Sequence, residues 1–522
     1  MSHLKIKIVL LFMIINSSTL LSQIKITSQF DNGSIESYSV LDSTWIKRGV
    51  SDSIMSVSVE VRSRRDPLNP VDTALSPSAR WYHFRMEGVK DKLIFLNILS
   101  SEVRRPFYSY DMVNYTRFDY NENLYPRAIN KIFTRDTVYI AYFVPYTYTK
   151  HLERISEWSQ KPFAEHQVIG NSSQGLPMNM LKITDSSVPD NDKKIIWMHG
   201  RTHTSEAPAA WHLDGMIEEI LSDTPFAVEL RKNAIFYIVP EANPDGVFGG
   251  YSRSTSTGVN IEINWDRPDS LTMPEVKALK AAMTKITAER PIDLMLNLHS
   301  QVANSITYWI HSAKSTSQEY LKVQSLLSAL TINHSPYYRS VDQLYSDVAP
   351  RYAEGWLWDR FGEKTLAITF ETPYTYYNED REGPWVDPTT LKKLAHSSLL
   401  AVSDLLNLDK SGRIIADSDN LKRVPTGWAA NREPDKLFFG KSYLTADKNG
   451  ASIKLTIPNL KHGEYTIYKW IAGPVADSFP EDINIWKEVG KVVQKRDGKY
   501  VWIYKAQNQG EIVDAIILVK NY

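Results

Sequence analysis

Between about residues 160 and 408, five apolar runs (KKIIWMH, NAIFYIVPE, IDLMLNLHS, SITYWIHS and TLAITFET) alternate with stretches whose apolar residues recur every three or four positions. Near-continuous apolar runs belong to strands buried on both faces. The segment is therefore expected to be α/β, a central mixed, mostly parallel sheet flanked by helices. Helices are expected at 206–222, 273–289, 317–330 and 388–407. Pro274 falls in the first turn of the second, where a missing N–H costs nothing. The strand ends carry the unusual residues. His203 and Glu206 follow the first run, His299 ends the third, and Glu371 ends the last.

A chain of 522 residues is too long for a single ordinary core, so flanking domains are expected. Residues 24–155 read as an N-terminal β-sandwich, with SIMSVSVEVRS, WYHFRMEG, KLIFLNIL and DTVYIAYFVPY broken by Pro, Gly and Asp clusters. The α/β domain is placed at 156–408 and a polar linker at 409–435. A C-terminal β domain, sandwich-like, is placed at 436–522, where SIKLTIP, GEYTIYKWI, YVWIYKA and VDAIILV are separated by Asn-Gly, His-Gly and Asp-Gly turns.

Lys plus Arg and Asp plus Glu both number 60, so no global field favours a nucleic acid or an anionic membrane. Lys5 and Lys7 precede the apolar run 8–15, which is shorter than the roughly 20 residues that span a bilayer. Residues 1–22 read as a signal peptide, so an exported protein, periplasmic or secreted, is expected, with no stable membrane insertion after cleavage. The absence of cysteine excludes disulfides and the acylated residue of a lipoprotein.

A hydrolytic zinc site takes neutral imidazoles and a carboxylate as ligands and keeps one position open for water. His203, Glu206 and His299, with Glu371 as a spare carboxylate, match that requirement, and one Zn2+ per chain is expected. His-x-x-Glu alone is a weak pattern, since a capping acid at a helix start produces it too. His199 offers a competing pair with His203, but Gly200 argues against a continuous helix there, so His199 is read as a supporting residue. Asn297, Ser300 and Gln301 give His299 a polar setting that favours a site over a satisfied core histidine.

The segments GRTHTSE, PEANPDGV, YSRS, GVNIEINW, NLHS and TFET together resemble the zinc carboxypeptidase family, most closely its cytosolic carboxypeptidase-like branch. The resemblance covers roughly residues 30–405 and implies a carboxypeptidase-like fold. It makes His203, Glu206 and His299 the zinc ligands. It makes Glu371 the general base, taking a proton from zinc-activated water and passing it to the leaving amine. It assigns Arg253 to the developing oxyanion. Tyr345, with Tyr352 as competitor, matches a substrate-closing tyrosine. Where the family carries an Asn-Arg pair that grips the terminal carboxylate, this chain has Glu262 and Ile263, followed by Asn264. Glu262 and Asn264 are the substrate-binding candidates, and Arg267 a stand-in for the missing arginine. Three readings remain. The first is an exported zinc metallocarboxypeptidase-like hydrolase cleaving an amide near a peptide C-terminus. The second is a zinc amidase, deacylase or endopeptidase that ignores a free carboxylate. The third is a non-catalytic glycan- or peptide-binding protein.

Overall fold

The computed structural model describes residues 24–522 apart from 124, 340–341, 434–435, 472 and 475–484. The signal peptide expected at 1–22 lies outside the described residues. The N-terminal region builds two sheets. One is a five-stranded antiparallel sheet through Lys25–Thr27, His83–Glu87, Thr137–Ala141, Phe107–Ser109 and Tyr115–Arg117. The other has four strands, Ser37–Lys47, Ser53–Arg62, Leu93–Ile98 and Ala128–Ile132. Period-two alternation turns Val57, Val59 and Val61 inward, where they join Phe84, Met86, Val138 and Ile140 in one apolar core. The helix Tyr148–Trp158 crosses the expected boundary at 155, capped by the Thr147 hydroxyl, which accepts from Lys150 N.

The α/β domain carries an eight-stranded mixed sheet. Its strand order is Ala164–Asn171, Pro177–Ile183, Ala234–Val239, Lys194–Gly200, Leu294–Gln301, Leu366–Pro373, Thr307–His311 and Leu344–Ser346. The four central strands are parallel and the flanking pairings mostly antiparallel. Both faces are covered, which explains the unbroken apolar runs. Ile196, Met198, Leu296 and Phe370 pack on the helices Ala207–Ile220 and Pro388–Leu406. Trp197, Met295 and Ala367 face Val276, Leu279 and Met283 of Pro274–Ile286, and Trp356 of Ala353–Phe361. Gly215 lets the first two helices touch: a Cβ there would lie 3.0 Å from the Lys392 Cα. The four expected helices form at 207–220, 274–286, 318–334 and 388–406. The nine-residue helices Pro225–Asn233 and Ala353–Phe361 were not anticipated, because two turns hold too few apolar repeats to show a period.

Two short strands lie within the segment expected as a linker. Arg413–Asp417 pairs antiparallel with Ala515–Asn521, and Trp428–Asn431 pairs with Tyr443–Ala446. A five-residue strand with two isoleucines has no local signature, and its partner lies about a hundred residues away. These strands join a C-terminal β region with its own core around Trp428, Leu455, Ile467 and Leu518. Arg413 fixes that region to the α/β domain, donating to both oxygens of buried Asp404 at 2.7 and 2.6 Å.

Candidate metal centre and catalytic pocket

Parallel register brings the strand ends together. Gly200 pairs with Leu298 and His299 pairs with Glu371, so the loop after Gly200 emerges beside both. Ligands bind at this carboxyl edge of α/β sheets. Arg201 turns the loop with a φ of 60° and anchors it by donating to the carbonyls of Tyr146 at 3.0 Å and Thr204 at 2.6 Å. Glu206 stands at the N-cap position of the helix Ala207–Ile220, yet its side chain makes no capping bond. The Ser300 hydroxyl accepts from Ala209 N at 2.9 Å instead, which leaves the Glu206 carboxylate available.

That carboxylate lies between two imidazoles. Glu206 Oε1 is 2.9 Å from His203 Nδ1, and Oε2 is 2.8 Å from His299 Nδ1. One ligand atom from each of the three buried residues falls within 4.8 Å of the others. Two imidazole nitrogens and one carboxylate oxygen are the donor set of a catalytic zinc ion. The outer nitrogens are also engaged. His203 Nε2 is 3.2 Å from Asn260 Oδ1, and His299 Nε2 is 3.2 Å from Glu262 Oε2. On His299 such a partner fixes the tautomer that turns Nδ1 toward a metal.

Burial and the nearby Arg253 lower the His203 pKa to about 4, leaving a neutral imidazole ready to ligate. On His299, burial is outweighed by Glu262 and Glu206, which hold its pKa well above the ordinary value. A divalent ion held there would take the place of that proton. Burial opposes the ionised form of Glu206, but the two imidazoles outweigh it and hold its carboxyl well below the usual range.

Glu371 occupies the next strand end. Trp309 Nε1 approaches its Oε1 at 3.4 Å, while its Oε2 is shielded from solvent with no partner. Desolvation, with Glu206 second, pushes its carboxyl up to about 7. Arg253 lies across the pocket, with Nη2 3.1 Å from His203 Nε2 and Nη1 3.7 Å from Glu206 Oε1. Its loop is held from the N-terminal region, since Asp66 accepts from the backbone N–H groups of Ser252, Arg253 and Ser254 at 2.7, 2.7 and 3.1 Å. His203, His299, Glu371 and Arg253 line a cavity of about 330 Å³ together with Glu262, Tyr352 and Glu354. A larger groove of about 530 Å³ at the sheet edge, against Val168 and Tyr237, contains none of them.

Some expected residues stand elsewhere. Asn264 does not line the cavity; its Oδ1 accepts from Met273 N at 2.8 Å and its amide donates to Leu271 O, so it shapes the approach to the next helix. Tyr345 packs on the core, and its hydroxyl donates to Gln343 Oε1 at 3.1 Å; the tyrosine that lines the cavity is Tyr352. Arg267 faces Asp72 and Asp266, outside the cavity. His199 is buried and accepts from Trp197 Nε1 at 3.0 Å, a supporting role. Asp66, Asn260 and Glu354 were not anticipated, and Asn297, read as part of the polar setting of His299, bridges Glu262 and Glu354. Only Asn260 had a local signal, two residues before Glu262.

The zinc carboxypeptidase family profile matches residues 156–379. An uncharacterised protein of Zymomonas mobilis is 23% identical over 69% of this chain and 96% of its own length. Cytosolic carboxypeptidase 6 of Mus musculus is 27% identical over 44% of this chain and 48% of its own. The Caenorhabditis elegans protein of the same name is 31% identical over 33% of this chain and 39% of its own. The chain thus spans about half the length, or less, of these two curated carboxypeptidases. Among solved structures, a metallo-carboxypeptidase from Burkholderia cenocepacia aligns with a TM-score of 0.59 at 22% identity, covering 74% of this chain and 99% of that one. One from Pseudomonas aeruginosa aligns at 0.58 and 20% identity, covering 74% of this chain and 100% of that one. At that identity these two similarities establish the fold. Residues 156–379 therefore form a zinc carboxypeptidase domain of metallocarboxypeptidase type, homologous to the cytosolic carboxypeptidases.

Proposed function

We propose that this chain is an exported zinc-dependent carboxypeptidase-like hydrolase that cleaves an amide bond near a peptide C-terminus, with Glu371 as general base. The observation that carries the reading is the pairing of His299 with Glu371 across two parallel strands, with the shielded Glu371 Oε2 left without a partner beside the His203, Glu206 and His299 group. His203, Glu206 and His299 would hold a zinc ion, which when bound would supply the Lewis acidity for activating water and polarising the scissile carbonyl. Glu371 then takes the proton of the attacking water and delivers it to the departing amine. Arg253 supplies a cationic donor to the oxygen on which negative charge develops. Export is supported by Lys5, Lys7 and the apolar run 8–15. N-terminal sequencing of the mature chain tests it, and retention of Met1 would overturn it.

A second reading, an amidase or endopeptidase that ignores the terminal carboxylate, is favoured by one observation. Glu262 lines the cavity while Arg267 is turned toward Asp72. Among the described residues, Arg253 and Arg351 are the cations lining the cavity, and Arg351 is the one left to meet a carboxylate. Peptides matched except for a free or amidated C-terminus separate the two readings. Cleavage confined to the free form supports a carboxypeptidase, whereas equal cleavage of both removes that label.

A further inference from the structure

Two carboxylates lining the pocket are neither metal ligands nor the general base proposed above. Glu262 and Glu354 are 6% and 2% exposed, and both line the cavity. One amide ties them together, with Asn297 Nδ2 donating to Glu262 Oε1 at 3.0 Å and to Glu354 Oε1 at 3.2 Å. The Thr369 hydroxyl donates to Glu354 as well. Among the described residues, Glu262 has one ionisable partner, the His299 imidazole, and Glu354 has no ion pair with Lys, Arg or His. Neutral donors orient a buried carboxylate but bring no opposite charge, and a second carboxylate beside it makes the deficit worse. The arginines of the cavity do not fill that deficit. Arg253 lies against His203 and Glu206, and Arg351 stacks on Tyr352 and donates to its hydroxyl at 3.1 Å.

A separate observation on the same cavity points to a ligand. His311 is 7% exposed, lines the wall, and has an Nε2 with no hydrogen-bond partner. The pocket therefore presents a buried carboxylate, Glu354, that no cationic side chain balances, beside a second carboxylate held by His299, together with an uncommitted ring nitrogen. A peptide side chain ending in an ammonium or guanidinium group satisfies both, since its several N–H donors reach more than one acceptor.

We infer that this pocket selects a cationic side chain, an alkylammonium or guanidinium, on the leaving side of the scissile amide, with Glu354 as the selecting carboxylate. The inference rests on the hydrolase reading above for the existence of a scissile bond. Glu262 is already engaged by His299 and adds to the field, whereas Glu354 is the carboxylate free of a cationic partner.

The test measures binding and cleavage separately, using peptides identical except for a last residue of lysine, Nε-acetyl-lysine or glutamate. Binding is read by fluorescence anisotropy on the zinc-loaded full chain carrying Glu371→Gln, and cleavage on the unsubstituted chain. Lysine should bind about 30-fold more tightly than acetyl-lysine, the strength of a charge-assisted contact, and glutamate should bind most weakly. Adding Glu354→Gln should reduce the lysine to acetyl-lysine ratio to about threefold or less. Equal affinity for lysine and acetyl-lysine overturns the inference without any change at position 354, and so does a ratio that survives Glu354→Gln, or an absence of binding. A lysine preference in binding with no cleavage of any peptide would overturn the hydrolase reading and leave a cation-selecting pocket without a scissile bond. Cleavage of all three peptides with equal affinities would do the reverse.

Discussion

Glu206 stands where a helix usually takes a capping acid, and its carboxylate faces away from the helix toward two imidazoles. The difference between a cap and a ligand lies in Ser300, which satisfies the helix from a neighbouring strand. Glu371 is distinguished in the same way, by an oxygen with nothing to accept from. Glu371→Gln should keep the metal and lower kcat by about 10² to 10⁴, the range for a positioned proton carrier, with an unchanged or raised Tm. Turnover near the parent value at full zinc content would mean the base lies elsewhere. His203, Glu206, His299 and Glu371 were legible in the sequence because an ionisable residue closing an apolar run is costly without a task. Asp66 and Glu354 were not, because Asp66 holds a loop 186 to 188 residues away and Glu354 meets Asn297 from 57 residues away. Tyr345 and Tyr352 read alike in sequence, and only the course of the chain brings Tyr352 to the cavity.

At the level of elements, the long helices and central strands were readable because burial on one or two faces writes a period into the chain. Short edge strands escaped, as Arg413–Asp417 shows, since their pairing is set by a distant segment. The helix pair Ala207–Ile220 and Pro388–Leu406 supports the centre from behind, because the first of them begins directly after Glu206. Its closest approach is at Gly215, where a Cβ would press on the Lys392 backbone and on the Ala395 Cβ at 3.1 Å. Gly215→Val should destabilise the fold by about 1–3 kcal/mol by overpacking. Urea unfolding checks this, and an unchanged midpoint would show that the two helices can separate freely.

Across the whole molecule, the N-terminal region takes part in the site rather than merely preceding it. Asp66 holds the loop that carries Arg253, and Phe84, Leu213 and Leu296 belong to one continuous core. A second long-range effect is electrostatic. Burial pushes the Glu241 carboxyl up to about 8 from an ordinary 4.5, with Arg201 only partly opposing it. The folded chain keeps a proton that the unfolded chain releases above pH 4.5, so this contribution to stability is fully present below pH 4.5 and is lost as pH rises through 8. Glu241→Gln should flatten the fall in Tm across that window, and identical slopes would contradict the assignment. The central claim is that His203, Glu206 and His299 hold the metal on which hydrolysis depends. Metal analysis of the purified chain and of His299→Ala, paired with peptide cleavage, tests it most directly. The parent should carry about one zinc per chain and cleave, and the variant should lose both. A folded parent without zinc, or a variant that keeps its zinc and its activity, would contradict the account.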